Sequence, residues 1–186
     1  MAKIKVIPYE EATGKLKDIY EELLEKRGKL AAVHTIQSLN PESILAHMDL
    51  YMAVMFSQSS LSRSQREMIA VVVSVANGCL YCQQHHGVAL NNYWKNSERI
   101  ERLNRNYQDA ELSAVDTIVC SYAIELTRHP GDFQKEDKVI ALRQAGLDDR
   151  AILDATLVVS YFNFVNRMVL ALGVELEEMA GEGYKY

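Results

Sequence analysis

Apolar residues return at three- and four-residue intervals through nearly the whole chain, and that period constrains the fold more than any other property. Leu16, Ile19, Tyr20, Leu23 and Leu24 make one stripe, and Ile44, Met48, Tyr51, Met52 and Met55 make a second. Each fits an amphipathic helix that buries one face and wets the other. The sustained two-residue alternation of a half-buried strand is missing: Val71-Val72-Val73 and Leu157-Val158-Val159 are β-branched but sit inside longer helical patterns. The expected fold class is all-α, with about seven or eight helices.

Local signals place the helix ends. Ser62 followed by Gln65 reads as a capping box, and Ser113 followed by Asp116 offers a second N-cap with an acidic residue in the first turn. Asn77-Gly78 is a stop signal, so a helix opening near Ser64 ends there and another begins near Cys79. His129-Pro130-Gly131-Asp132 punctuates the chain, Gln144-Ala145-Gly146-Leu147-Asp148 closes a short helix and caps the next, and the last long helix spans about 149–172. The segmentation predicts a single domain over 1–186, with an N-terminal helical arm at about 1–30, a core at about 40–175 and a short C-terminal tail. Residues 180–186 are expected to fray in an isolated subunit. Val72-Val73-Ser74 with Asn77 is echoed by Val158-Val159-Ser160 with Asn163, a faint hint of two similar halves.

With 186 residues, 48% of them apolar, the chain buries a core without bridges or metals. Its three cysteines are too few for a secreted disulfide scaffold, which points to a reducing, cytoplasmic setting. The net charge of −5 with interspersed signs supplies no basic stripe, so nucleic acid is not an expected partner. Neither is a membrane: residues 1–8 turn charged at once, and the stretch taken as most apolar, Met68 to Leu80, is well short of the roughly 20 residues a span needs.

Chemistry concentrates in Cys79-Leu80-Tyr81-Cys82-Gln83-Gln84-His85-His86. A turn at Gly78 puts both cysteines in the first turn of a helix, where unpaired N–H groups and the macrodipole favour a thiolate. Two residues of spacing also allow the sulfurs to bridge. His86 lies one turn after Cys82 on the same face, whereas His85 points about a hundred degrees away and is expected to face solvent or a neighbouring subunit. Glu67, on the preceding helix, returns toward the thiols if the chain folds back at Asn77-Gly78. Held between apolar helices, its carboxyl is expected to have a raised pKa.

Glu67 with Cys79-x-x-Cys82-x-x-x-His86 resembles the core motif of the alkylhydroperoxidase D-like group within the carboxymuconolactone decarboxylase superfamily. The likeness extends to residues 12–20, 147–152, 162–167 and 171–174, which are similar to the subgroup of uncharacterised peroxidase-related proteins. The resemblance implies an all-helical subunit assembling as a homo-oligomer, whether dimer, trimer or hexamer. It also implies a thiol-dependent peroxidase acting on organic or hydrogen peroxides and needing no cofactor or metal. Carried over by position, Cys82 attacks the peroxide, Cys79 resolves the sulfenic acid, Glu67 and His86 relay protons, and an external dithiol resets the disulfide. Characterised relatives carry a second histidine between the cysteines where this chain has Tyr81, and a phenol does not take up a proton at neutral pH as imidazole does.

Plainer readings stand beside these. The two cysteines alone can be small packing residues, or can join His86 and Glu67 around zinc. Cys120 reads as core, and His34, His47 and His129 as isolated capped or surface residues. Asn163, Asn166 and Arg167 form a polar stripe suited to structural support or subunit contact, and Met48, Tyr51, Met52, Met55 and Phe56 suit packing or a peroxide pocket. Competing functions are a disulfide oxidoreductase or redox sensor on the same pair, decarboxylation of a lactone acid, and a non-enzymatic assembly role.

Overall fold

The computed structural model describes residues 2–177, so the predicted fraying of 180–186 lies outside the described residues. Among the described residues, nine α-helices run in the order α1 (Gly14–Arg27), α2 (Ala32–Thr35), α3 (Pro41–Phe56), α4 (Arg63–Ala76), α5 (Leu80–Trp94), α6 (Ser97–Arg105), α7 (Ala114–Arg128), α8 (Val139–Gln144) and α9 (Asp149–Leu172). No strand occurs among the described residues, and the excess over the expected count comes from α2, a single turn of four residues.

The signals that open the long helices act as the sequence implies. Ser62 and Gln65 form a reciprocal capping box on α4. The Ser113 side chain accepts from the Asp116 N–H and that of Asp148 from the Ala151 N–H, each satisfying a donor that the first helical turn leaves unpaired.

Helix α4 is the axis of the molecule. Every residue from Arg66 to Ser74 on it is buried, and it packs against α5, α7 and α9. A helix covered on all sides needs apolar residues all round, which is why Val71-Val72-Val73 belongs here despite its strand-like composition. Helix α9 is the one described helix long and apolar enough to cross a bilayer by length and composition, a longer apolar run than Met68 to Leu80. Its buried face, including Val158, Phe162 and Val165, is a core wall against α3, α4, α7 and α8.

The polar stripe of α9 braces this core. Asn77 donates to the Asn163 and Asn166 side-chain oxygens at 3.1 and 3.0 Å, Asn166 to Ser74 Oγ at 3.2 Å, and Asn163 to Thr127 Oγ1 at 3.0 Å. Buried amides need such partners, and here they tie α4, α7 and α9 together. Asn77 and Asn163, one of the four matched pairs in the sequence echo, thus bond to each other.

Helix α1 packs on α3 through a smaller apolar cluster of Leu16, Ile19, Tyr20, Leu23 and Ile44. Burying each aliphatic side chain there contributes roughly 1.5–3 kcal/mol. Its packing carries Arg27 and the turn beyond it to the mouth of the site.

Candidate active site

The turn after α4 delivers the cysteines. Gly78 adopts φ 69°, a left-handed conformation that glycine enters without strain. It closes a Schellman motif, with the Cys79 N–H bonded to the Ser74 carbonyl at 2.8 Å and the Gly78 N–H to that of Val75 at 3.0 Å. Cys79 becomes the N-cap of α5 and Cys82 lies in its first turn. Both are buried free thiols, with exposures of 0% and 2%.

The two sulfurs are not equivalent. Cys79 sulfur accepts a hydrogen bond from the Cys82 thiol and, despite burial, from the N–H groups of Cys82 and Tyr81, which together lower its pKa. Cys82, as the donor to that sulfur and itself desolvated by burial, is pushed well above the ordinary range, opposed only by a hydrogen bond with Asn166. A helix start does favour a thiolate, but the N-cap position itself collects the N–H groups, so of the two sulfurs Cys79 is the one more readily ionised.

Glu67 is fully buried and reaches two partners: Arg63 Nη2 at 2.5 Å and His86 Nδ1 at 2.6 Å. Burial alone would raise its pKa, but His86 and then Arg63 outweigh that and hold the carboxyl below its usual range. The expected rise toward neutrality is therefore corrected. An ionised carboxylate only accepts, so His86 Nδ1 carries the hydrogen and Nε2 is left as a base. His86 sits edge-on to Phe162, with ring centroids 4.5 Å apart. Arg63, for its part, donates to the Met55 carbonyl at 2.8 Å and lies 3.6 Å over the Phe56 ring.

A cavity opens beside this group. Cys82 and His86 line it, while Cys79 and Glu67 stand behind them. Arg27, His34, His47, Tyr51 and Tyr161 line it as well. Two of the histidines taken as isolated are thus buried cavity residues, and only His129 is exposed as expected. Burial drops the pKa of His34 to about 3 and of His47 to about 4, so both are neutral. Among the soft apolar group, Tyr51 lines the cavity, Met55 is core, and Met52 and Phe56 reach the surface.

His85 does not face solvent. Its Nε2 meets Glu177 Oε2 at 2.8 Å, and its ring lies 4.3 Å from that of Tyr81. Glu177 Oε1 also accepts from the Ala32 N–H at 2.7 Å and from the Tyr81 hydroxyl at 3.0 Å. Burial opposes its ionisation, yet these bonds hold its pKa down to about 2. Tyr81 is therefore a strut binding the chain after α9 to the cavity rim. Cys120 is fully buried in the core, which pushes its thiol pKa up. Among the described residues no three His, Cys, Asp or Glu side chains are grouped to hold a metal ion, and both Glu67 oxygens are engaged by Arg63 and His86.

The Carboxymuconolactone decarboxylase family profile matches residues 41–115, which hold all four site residues. A solved structure of an uncharacterized peroxidase-related protein from Silicibacter sp. TM1040 is 30% identical, superposes with a TM-score of 0.86, and is covered over 96% of its length by 99% of this chain. The chain belongs to the carboxymuconolactone decarboxylase superfamily. An uncharacterized peroxidase-related protein from Ralstonia eutropha JMP134, described as an alkylhydroperoxidase AhpD core, is 24% identical over 97% of this chain and 94% of its own and has the same fold with a TM-score of 0.86. The debrominase Bmp8, at 16% identity over 95% of this chain and 92% of its own, also shares the fold, with a TM-score of 0.74. The peroxidase-related neighbours of this superfamily member point to enzymatic chemistry of the alkylhydroperoxidase D or decarboxylase kind, while the debrominase shows that the fold alone does not set the reaction.

Proposed function

We propose that this protein is a thiol-dependent peroxidase reducing organic or hydrogen peroxides. The observation that carries the reading is Cys82 at the cavity wall, with the more readily ionised Cys79 behind it and an imidazole anchored by an ionised carboxylate beside it. Cys82 must lose its proton to act, and His86 Nε2 is the base on the cavity side. The Cys82 thiolate attacks the terminal oxygen of the hydroperoxide: an S–O bond forms, the O–O bond breaks, and two electrons pass from sulfur to the departing alkoxide. His86 returns its proton to that alkoxide, releasing the alcohol. The Cys79 thiolate then attacks Cys82 sulfur, and hydroxide leaves as water once protonated, which gives the disulfide. An external dithiol reduces the bridge by exchange and is itself oxidised to a disulfide.

The cradle of N–H groups around Cys79 favours a second reading, a disulfide oxidoreductase. Burial of both sulfurs speaks for a small oxidant over a protein disulfide. Comparing single-turnover oxidation by cumene hydroperoxide with oxidation by a small disulfide separates the two: the peroxidase reading requires the hydroperoxide to react faster. We also propose that subunits associate through the exposed Leu50 of α3 and Leu153, Leu157 and Phe164 of α9, since apolar surface of this kind is common at interfaces.

A further inference from the structure

A directed chain of hydrogen bonds leads to the lining of the cavity that holds Cys82. Gln37 Nε2 lies 2.8 Å from the Val33 carbonyl oxygen, which can only accept, so the amide nitrogen is fixed at that position. The same nitrogen lies 2.8 Å from His47 Nδ1. A donor on that side makes Nδ1 an acceptor without hydrogen, and burial keeps the ring neutral, so its one hydrogen is on Nε2. Nε2 lies 2.7 Å from the Tyr161 hydroxyl, which therefore accepts. The hydroxyl's own hydrogen meets no acceptor among the described residues, and Tyr161 lines the cavity with Cys82 and His86. Buried groups seldom leave a donor unused, and this one borders the space where a substrate must sit.

We propose that Tyr161 is a catalytic hydrogen-bond donor to the departing oxygen of the peroxide, oriented by His47 and Gln37 as positioning residues. The assignment rests on the peroxidase reading. As the O–O bond breaks, the alkoxide oxygen gains negative charge, and a fixed phenol hydrogen aimed at it stabilises that charge more than it stabilises the neutral peroxide. Tyr161 keeps its proton throughout, and the proton that completes the alcohol comes from His86. Burial holds the Tyr161 pKa well above its ordinary value, consistent with donation without transfer.

The test uses two oxidants with different leaving groups. Reduced protein is mixed with tert-butyl hydroperoxide or with peracetic acid, and bridge formation is followed in a single turnover by quenching and mass spectrometry. The alkoxide leaving from the first is a strong base that needs the hydrogen bond, whereas the acetate leaving from the second is not. Tyr161→Phe should slow the hydroperoxide reaction by on the order of 10², the effect of deleting one such donor, and the peracid reaction by only a few-fold. His47→Phe, which keeps the phenol but removes the hydrogen orienting it, should show a smaller loss with the same dependence on leaving group. Equal losses with both oxidants would mean that Tyr161 only shapes the cavity, and no loss with either would remove it from the reaction; each overturns the inference while the peroxidase reading stands. Wild-type protein inert to both oxidants would overturn the two together. Thermal melts of both variants check that the fold is kept.

Discussion

Replacing Glu67 with glutamine separates two physical accounts of the site. If burial decided the matter, Glu67 would be neutral in the folded protein and the isosteric amide would change little. Its contacts with His86 and Arg63 instead hold it ionised, so the substitution removes the counter-charge of a nearly buried guanidinium. Breaking a buried pair from one side costs about 3–5 kcal/mol. Arg63 keeps the Met55 carbonyl and the Phe56 ring face, which favours the low end, about 3 kcal/mol. For a chain of this size that lowers Tm by roughly 6–12 °C at neutral pH. The pH dependence has a definite sign. The folded pKa lies below that of an unfolded glutamate, about 4.3, so the stabilisation is complete above that value and fades as pH falls through the folded pKa. The gap between wild type and Glu67→Gln, measured by calorimetry from pH 7 downward, should therefore narrow below about pH 4.3. Peroxide turnover should fall by about 10²–10⁴, because His86 loses the carboxylate that fixes its tautomer. A variant as stable as wild type at pH 7 would show that the carboxyl is neutral and the derived relay wrong.

Other substitutions read other parts of the site. Cys82→Ser should abolish reaction with hydroperoxide, while Cys79→Ser should leave a Cys82 sulfenic acid that dimedone traps. Glu177→Gln should speed hydrogen exchange at the Ala32 amide and reduction of the bridge by dithiothreitol, because the chain after α9 loses its charge-assisted bonds at the rim. In wild type the protection of that amide relative to its intrinsic exchange rate should fall as pH drops from about 4.3 toward the folded value of about 2, since a depressed carboxyl pKa stabilises above the unfolded value and not below the folded one. Light scattering should report an oligomer, and Leu157→Glu with Phe164→Glu should shift it toward monomer; a wild-type monomer would refute the α3/α9 interface.

Much of this architecture was legible because it is local. The capping box at Ser62, the N-caps at Ser113 and Asp148, and the stop at Gly78 each depend on residues within a few positions, and together they fix how α4 folds back onto α5. Once that turn is set, Glu67 and His86 have to meet, so the motif spacing encoded a true contact. The carboxyl's pKa was misread although its cause was in view: Arg63 stands four residues before Glu67, one turn away on the same face. What could not be read is long-range. His47 finds Tyr161 across 114 positions and His85 finds Glu177 across 92, with no periodic signal joining them. Isolated histidines look alike in a sequence until tertiary packing buries some and leaves others wet.

The central claim is that Cys82 takes oxygen from a peroxide and Cys79 closes the bridge. Its most direct test is peptide mapping of reduced protein after one equivalent of cumene hydroperoxide, with free thiols counted in parallel. The account predicts loss of two thiols per chain, a Cys79–Cys82 disulfide, and Cys120 still free. Thiols lost without that bridge, or a bridge that involves Cys120, would contradict it.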